Sequence, residues 1–410
     1  MGGRARKEAE MMAFDIEAFV SKYVTKRERS LLADDFARHD AELHGRIDGR
    51  RVLVVGGAGT IGSNYVKAIL RRYAVAALYV VDIDENELTE LVRDLRCGGE
   101  YAVPEEFGAE PLDLGSAAFA KFFAEKGPFD IVANFAARKH VRSEKDVYSI
   151  EAMCETNVFM AKRLLDLLLQ NPPETFFCVS TDKAANPVNV MGATKKLMEE
   201  TIMAYAGAMR PQTGKIEGGG DRKVFRIVTA RFANVAFSNG SLPLGWLRRI
   251  EKRQPIVCPR GVRRFFVSPT ESGELCLLAS VLGENGDIVY PKLDPKRDMI
   301  SFDSFLPDFL RTTGCSDWKV FYPEADTDGE KPYEEFFTDS DIKDETAFVN
   351  LGVIKNARQR PMEEIEAILA QLKDVFRRHA STKEDVVEVL KDYLPNFHHL
   401  AKGTGLDARM

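Results

Sequence analysis

The chain has 410 residues, 45% of them hydrophobic and 29% charged, with 57 basic against 63 acidic side chains for a formal net charge of −6. This is ordinary globular composition, which excludes a disordered or collagen-like chain, and the acidic balance argues against duplex nucleic acid as a main partner. No run approaches the roughly 18 apolar residues of a membrane helix, so no membrane span is expected, and the length suits two or three domains at about 150 residues each.

Residues 1–49 read as an N-terminal helical extension. Phe14, Phe19, Val20 and Tyr23, then Leu31, Leu32, Phe36 and Leu43, recur at helical spacing and predict two helices. From Arg51 the pattern changes to Val52-Leu53-Val54-Val55, a continuous apolar run of the kind a parallel strand covered on both faces requires. A glycine turn follows, then a helix over 63–72 and a second strand over 77–81 that closes at Asp82. Further strands are predicted at 109–111, 131–133, 176–180 and 224–231, separated by helices that include 157–170 and 192–209. This alternation predicts an α/β fold, a Rossmann-type doubly wound parallel sheet over 50–234. Pro211–Arg222, with Gly218-Gly219-Gly220, reads as a surface loop, and Asn239-Gly240-Ser241 as a turn. Prolines then crowd the chain, and 235–345 reads as a smaller, discontinuous α/β substrate domain, with about 262–285 open to rejoining the Rossmann domain. Helical periodicity over 361–393 makes 346–410 a C-terminal helical segment.

Six cysteines are scattered without a CxxC pair, which reads as free buried thiols, and no secretory segment follows the charges of Met1–Arg6. A cytoplasmic location is expected. The six histidines form no ligand-spaced cluster, so no metal is expected.

The chemistry-bearing signal is Gly56-Gly57-Ala58-Gly59-Thr60-Ile61-Gly62, directly after a strand and opening a helix. Gly56 permits the tight turn, Gly59 lets the backbone approach a pyrophosphate, and Gly62 allows close helix–strand packing. The N–H groups at Thr60 and Ile61 and the helix dipole then favour an anion. Asp82, twenty residues past Gly62, is placed to accept from ribose hydroxyls and to repel a 2′-phosphate, which favours NAD over NADP. Asp113, with Leu114 beside it, follows the third strand and either meets an adenine amine or caps the helix before Ser116.

Together with Asn134-Phe135-Ala136-Ala137, Lys139-His140-Val141, Asn157-Val158, Ser180-Thr181-Asp182-Lys183-Ala184, Asn186-Pro187-Val188-Asn189, Met191-Gly192-Ala193-Thr194-Lys195, Arg231-Phe232-Ala233-Asn234-Val235, Arg264-Phe265-Phe266 and Gly329–Glu335, this turn resembles the extended short-chain dehydrogenase/reductases. Within them it looks like the bacterial polysaccharide-biosynthesis branch of UDP-N-acetylglucosamine 4,6-dehydratases, over roughly 50–340. The resemblance implies a UDP-sugar substrate, a homo-oligomer, and Ala136 and Ala137 beside the cofactor. It also implies C4 oxidation, loss of water across C5–C6, and hydride return to C6, which needs an acid and a base side by side. Asp182 and Lys183 follow an apolar strand, where such sites form. Lys183 is assigned as the C5 base, which requires a lowered pKa, and Asp182 as the acid toward the C6 oxygen. Thr181 then positions the C4 hydroxyl and Lys195 bonds the nicotinamide ribose.

Met191 departs from the family, which has tyrosine one helical turn before the lysine. A thioether takes no proton, so Asp182, Lys183 or a water relay must receive the C4 hydroxyl proton, with Asp182 the first choice. Asn234 and Arg264 are expected to hold the diphosphate, with Arg263 adjacent. Lys139 and His140 either face sugar and phosphate or are structural, and Glu330 and Lys331 either act or form an ordinary ion pair. Two other functions fit the same residues: a UDP-sugar 4-epimerase or oxidoreductase, which does not need Lys183, and a catalytically silent NAD- and UDP-sugar-binding protein, which Met191 favours.

Overall fold

A computed structural model describes residues 14–141, 144–209, 225–324, 331 and 333–400. The loop expected at 211–222, the Val224 end of its following strand, Met1–Arg6, and Gly329, Glu330 and Pro332 of the late motif lie outside the described residues.

Chain order runs α1 (Ile16–Phe19, continued by a π-turn segment over Val20–Thr25), α2 (Ala33–Ile47), β1 (Arg51–Val55), α3 (Thr60–Arg72), β2 (Ala77–Asp82), α4 (Glu85–Arg96), β3 (Glu106–Pro111), α5 (Ala117–Lys126), β4 (Ile131–Asn134), α6 (Val147–Cys154), α7 (Met160–Leu168), β5 (Thr175–Val179) and α8 (Val190–Ala208). It continues with β6 (Arg226–Ala230), β7 (Asn234–Val235), α9 (Leu242–Glu251), β8 (Ile256–Val257), β9 (Arg263–Val267), α10 (Pro269–Leu282), β10 (Ile288–Pro291), β11 (Met299–Ser301), α11 (Phe302–Thr312), β12 (Val320–Phe321), β13 (Lys343–Asp344), β14 (Leu351–Ile354), α12 (Met362–Arg377) and α13 (Lys383–Tyr393).

Nine strands form one sheet in the order β13-β14-β10-β6-β5-β4-β1-β2-β3. The seven from β10 to β3 are parallel; β14 and β13 add an antiparallel edge. Every residue of β4, β5, β10 and β14 is buried, as strands covered on both faces must be. The chain moves outward from β1 to β3 and then returns to β4 on the other side of β1, which opens a crevice at the carboxyl ends of β1 and β4.

The expected Rossmann-type sheet is present, but its membership reaches further along the chain than sequence patterning indicated. β10 falls inside the segment read as substrate domain, yet pairs in parallel with β6. β14 falls inside the segment read as a C-terminal helical segment, ahead of its helical periodicity, and pairs antiparallel with β10. Each has only four residues, too few for apolar runs to be told from the start of a buried helix. α10 packs along α3 so closely that a Cβ on Gly273 would lie 2.2 Å from the Asn64 carbonyl oxygen. The helix expected from residue 157 is longer: α6 and α7 run into each other through a π-turn segment at Glu155–Phe159.

A smaller layer of β7, β9 and β11 lies beside the β8–β12 pair. Its core is aromatic: Phe237, Trp246, Phe266, Phe305 and Phe309 are buried together, and Phe19 and Val20 of the N-terminal extension complete it. At about 1.5–3 kcal/mol for each fully buried large side chain, Phe19 and Val20 fasten that extension to this layer. Arg27 adds a two-pronged ion pair to Glu271 of α10. α2 belongs instead to the large core, where buried Asp35 accepts from the Val349 and Asn350 N–H groups ahead of β14.

At the other end, α12 packs along α8, and the chain after α13 returns to the sheet's carboxyl edge. There the N–H groups of His398 and Leu400 donate to the Pro187 and Val188 carbonyls at 3.1 and 2.9 Å. Half-buried Glu144 receives His399 and Lys383 while accepting from the first N–H of α8, that of Val190, at 2.7 Å.

Candidate functional site

The glycine turn sits on the crevice between β1 and β4. Gly56 has φ +69°, and a Cβ there would lie 2.4 Å from the Ala136 nitrogen, so both the backbone angle and the loop after β4 require glycine. A Cβ on Gly62 would meet the Gly56 oxygen at 2.5 Å, the close helix-to-turn packing expected there. At Gly59 the nearest such contact is 3.6 Å, which leaves the face above the turn open to an anion. Thr60 and Ile61 begin α3 behind it. The Asp82 carboxylate accepts from the Ala58 N–H at 2.9 Å and the Asp84 N–H at 3.1 Å, which ties it to the glycine turn. Asp113 is not the cap of the next helix: its side chain closes a turn on the Gly115 N–H at 2.7 Å, and Ser116 is the cap of α5. Leu114 is buried beside it.

The Asn134 side chain accepts from the Ala136 N–H at 3.1 Å and so shapes the loop that carries Ala136 and Ala137. Buried Asn157, in the π-turn segment, holds the next residue by both its N–H and C=O, bonding Arg138 N at 2.9 Å and Arg138 O at 3.1 Å. Lys139 is exposed. The His140 ring covers the turn at Gly240, where a Cβ would stand 2.3 Å from its Cε1. That turn also meets the glycine loop, because Asn239 N–H donates to the Thr60 hydroxyl at 2.9 Å.

Beyond β5 the chain turns through Thr181 into a single 3-10 turn, Asp182–Ala184. One oxygen of buried Asp182 takes three donors: the Thr181 hydroxyl at 2.8 Å, the Lys183 N–H at 2.9 Å and the Lys183 ammonium at 3.0 Å. The Thr181 hydroxyl and the Lys183 ammonium thus share one carboxylate oxygen, which links the hydroxyl to the lysine. Gly192 lets α8 start against this turn, since a Cβ there would be 2.6 Å from the Lys183 carbonyl. Met191 is buried, and Lys195, one turn on, donates to the Val179 carbonyl at 2.9 Å. Burial pushes the Lys195 ammonium below its ordinary pKa.

Lys183 corrects an expectation. Its proposed work at C5 requires a lowered pKa, but the pKa is raised: burial does oppose the charge, and the carboxylates of Asp182 and Glu334 outweigh it. Glu334, 3.6 Å from the Lys183 ammonium and only 4% exposed, is the residue that sequence reasoning missed, although it lies in the late motif. The segment around it is pinned over the turn: Lys331 donates to the Asn186 carbonyl at 2.6 Å, and Asn186 donates to Glu335 at 3.0 Å. Arg264 is buried with its charge acting on both Lys183 and Glu334, while its neighbour Arg263 is exposed. Asn234, at the start of β7, reaches toward the Phe265 carbonyl at 3.5 Å. Beneath the turn, Arg231 and Glu199 form a fully buried pair, with bonds of 2.9 and 2.8 Å, and the Ser180 hydroxyl donates to the same Glu199 at 2.6 Å.

The arrangement therefore offers a glycine turn with an open face, a carboxylate hydrogen-bonded to a hydroxyl, and a lysine held between two carboxylates. Among the described residues no group of three or more His, Cys, Asp and Glu could hold a metal, and no helix is long and apolar enough to cross a membrane.

The model of a family described as polysaccharide biosynthesis protein matches residues 52–356. A protein of Methanocaldococcus jannaschii named as an uncharacterized membrane protein is 30% identical over 298 residues, 72% of this chain and 82% of that one. A UDP-N-acetylglucosamine 4,6-dehydratase (inverting) of Campylobacter jejuni is 27% identical over 251 residues, 60% of this chain and 68% of that one. Among solved structures, Pen from Bacillus thuringiensis superposes with a TM-score of 0.62 at 21% identity, covering 80% of this chain and 98% of that one, which shows the shared fold.

Proposed function

Because the chain belongs to the polysaccharide biosynthesis protein family, we propose that it is a nucleotide-sugar 4,6-dehydratase acting on UDP-N-acetylglucosamine. The observation that carries this reading is the Thr181-Asp182-Lys183 turn at the carboxyl edge of β5, beside the open glycine turn. An epimerase needs no lysine at that position, so Lys183 favours dehydration over the epimerase reading. A silent binding protein would not need the Thr181–Asp182 hydrogen bond.

The glycine turn, Asp82 and Lys195 fit NAD: the face at Gly59 is open to a pyrophosphate, and a carboxylate at Asp82 disfavours a 2′-phosphate. Nicotinamide supplies the oxidation at C4 and the hydride returned to C6. Thr181 holds the C4 hydroxyl and passes its proton to Asp182, an acceptor that stands in for the tyrosine replaced by Met191. Asp182 later gives that proton to the departing C6 oxygen. Lys183 removes the C5 proton, and Arg264 and Asn234 hold the diphosphate, with the layer of β7, β9 and β11 serving as the substrate domain. A homo-oligomer and a cytoplasmic location belong to the same reading.

The test is incubation of the protein with NAD and UDP-N-acetylglucosamine, followed by mass spectrometry of the nucleotide sugar. Loss of one water is expected. Lys183→Ala should abolish that loss while C4 oxidation persists, and equal turnover by both proteins would sink the role given to Lys183.

A further inference from the structure

We propose that Glu334 is the proton partner of Lys183, the carboxylate that takes the ammonium proton so that a free amine faces C5. The proposal rests on the dehydratase reading and adds to it a group that no role had been given.

Lys183 has two carboxylates in reach. Asp182 Oδ1 is already occupied by three donors, one of them the Thr181 hydroxyl, and the reading above commits it to the C4 proton. Glu334 is the second, 3.6 Å from the Lys183 ammonium, buried, and brought there from a different part of the chain. Its position is held on both sides: Lys331 and Glu335 are bonded to Asn186, and the Phe336 carbonyl accepts from Arg231 at 2.8 Å. The charged groups acting on it are Lys183 and Asp182 of the turn, Arg264 of β9 and Lys331 of its own segment. Burial, with Asp182 adding to it, raises the Glu334 pKa against the three cations, which brings a protonated carboxyl within reach during turnover.

The protons balance. The Lys183 ammonium and Glu334 carboxylate become an amine and a carboxylic acid by one transfer. The amine takes the C5 proton; the C5–H electron pair forms the C5–C6 double bond as the C6–O bond breaks, and Asp182 protonates the leaving oxygen to water. When hydride returns to C6, Lys183 gives its proton back to C5, and Glu334 returns its own to the amine. The pair ends each cycle as it began, with no proton drawn from solvent.

The experiment compares wild type, Glu334→Gln and Glu334→Asp with NAD and UDP-N-acetylglucosamine, reading reduced nicotinamide in a single turnover and water loss in the steady state across pH. For Glu334→Gln, water loss should fall on the order of 100-fold near neutral pH, while the single-turnover absorbance remains, and the rate should climb with pH as hydroxide strips Lys183. Glu334→Asp should recover part of the loss. A Glu334→Gln protein that dehydrates at the wild-type rate, or whose loss is the same at every pH and is not relieved by Glu334→Asp, overturns the proposal. A wild-type protein that loses no water overturns the dehydratase reading, and the proposal with it.

Discussion

Glu199→Gln removes one charge from a pair sealed under the site. Glu199 and Arg231 are each 2% exposed, and the guanidinium meets both carboxylate oxygens at 2.9 and 2.8 Å. Burial raises the Glu199 pKa, but Arg231, Lys196 and the Ser180 hydroxyl outweigh it and hold it below the ordinary carboxylate range. An amide keeps the shape and leaves the guanidinium without its buried anion. Breaking such a pair costs about 3–5 kcal/mol. The Asp341 carboxylate, 3.6 Å from Arg231 and 18% exposed, still offsets part of the charge, so the low end applies. About 3 kcal/mol corresponds to roughly a 150-fold fall in the folding constant. Urea unfolding followed by tryptophan fluorescence reads this directly, since Trp246 is fully buried. Turnover should fall as well, because Ser180 is bonded to Glu199 and sits one residue before Thr181. Replacing both partners, as Glu199→Leu with Arg231→Met, should restore much of the stability. A single-variant loss under about 1 kcal/mol, the worth of one ordinary hydrogen bond, would refute this reasoning.

Two more expectations follow from the same geometry. Gly56→Ala forces a methyl group to 2.4 Å from the Ala136 nitrogen at a positive φ, so calorimetric NAD binding should be lost, with a stability cost of about 2–5 kcal/mol from backbone and overpacking strain. Glu144 has its pKa lowered: burial opposes ionisation, and His399, Lys383 and the Val190 N–H outweigh it. Its contribution is complete above the unfolded carboxylate value of about 4.3 and fades as pH falls through the lower folded value. Melting temperature measured against pH should therefore drop less steeply in acid for Glu144→Gln than for wild type, and identical curves would remove Glu144 from the account.

The sheet and glycine turn were legible in the sequence because their signals are local: an apolar run, then three glycines at fixed spacing, then an acid one strand later. Asp182 and Lys183 were legible for the same reason, as neighbours at a strand end. Glu334 was not, because it meets Lys183 only through the fold, across 151 positions of chain. The charge of Lys183 was misjudged because Asp182 and the unforeseen Glu334 together outweigh burial. Which of Arg263 and Arg264 is buried was open because side chains alternate across a strand, and only the pairing of β9 with β11 and β7 decides the inward face. Likewise Asp35 resembles an ordinary helix-face acid until β14 brings two N–H groups to it.

The pairing of residues 398–400 with Pro187 and Val188 sets an order in time. During synthesis, the turn that bears Asp182 and Lys183 and the first residues of α8 emerge some 210 positions before Leu400 does. At about 5–20 residues per second, that interval is about 10–40 s. During it Glu144 gains Lys383 and then His399 only near the end, and β10 and β14 join the sheet only as they emerge within the interval. A nascent chain therefore holds this edge of the sheet unpinned until residues 398–400 arrive to fasten it.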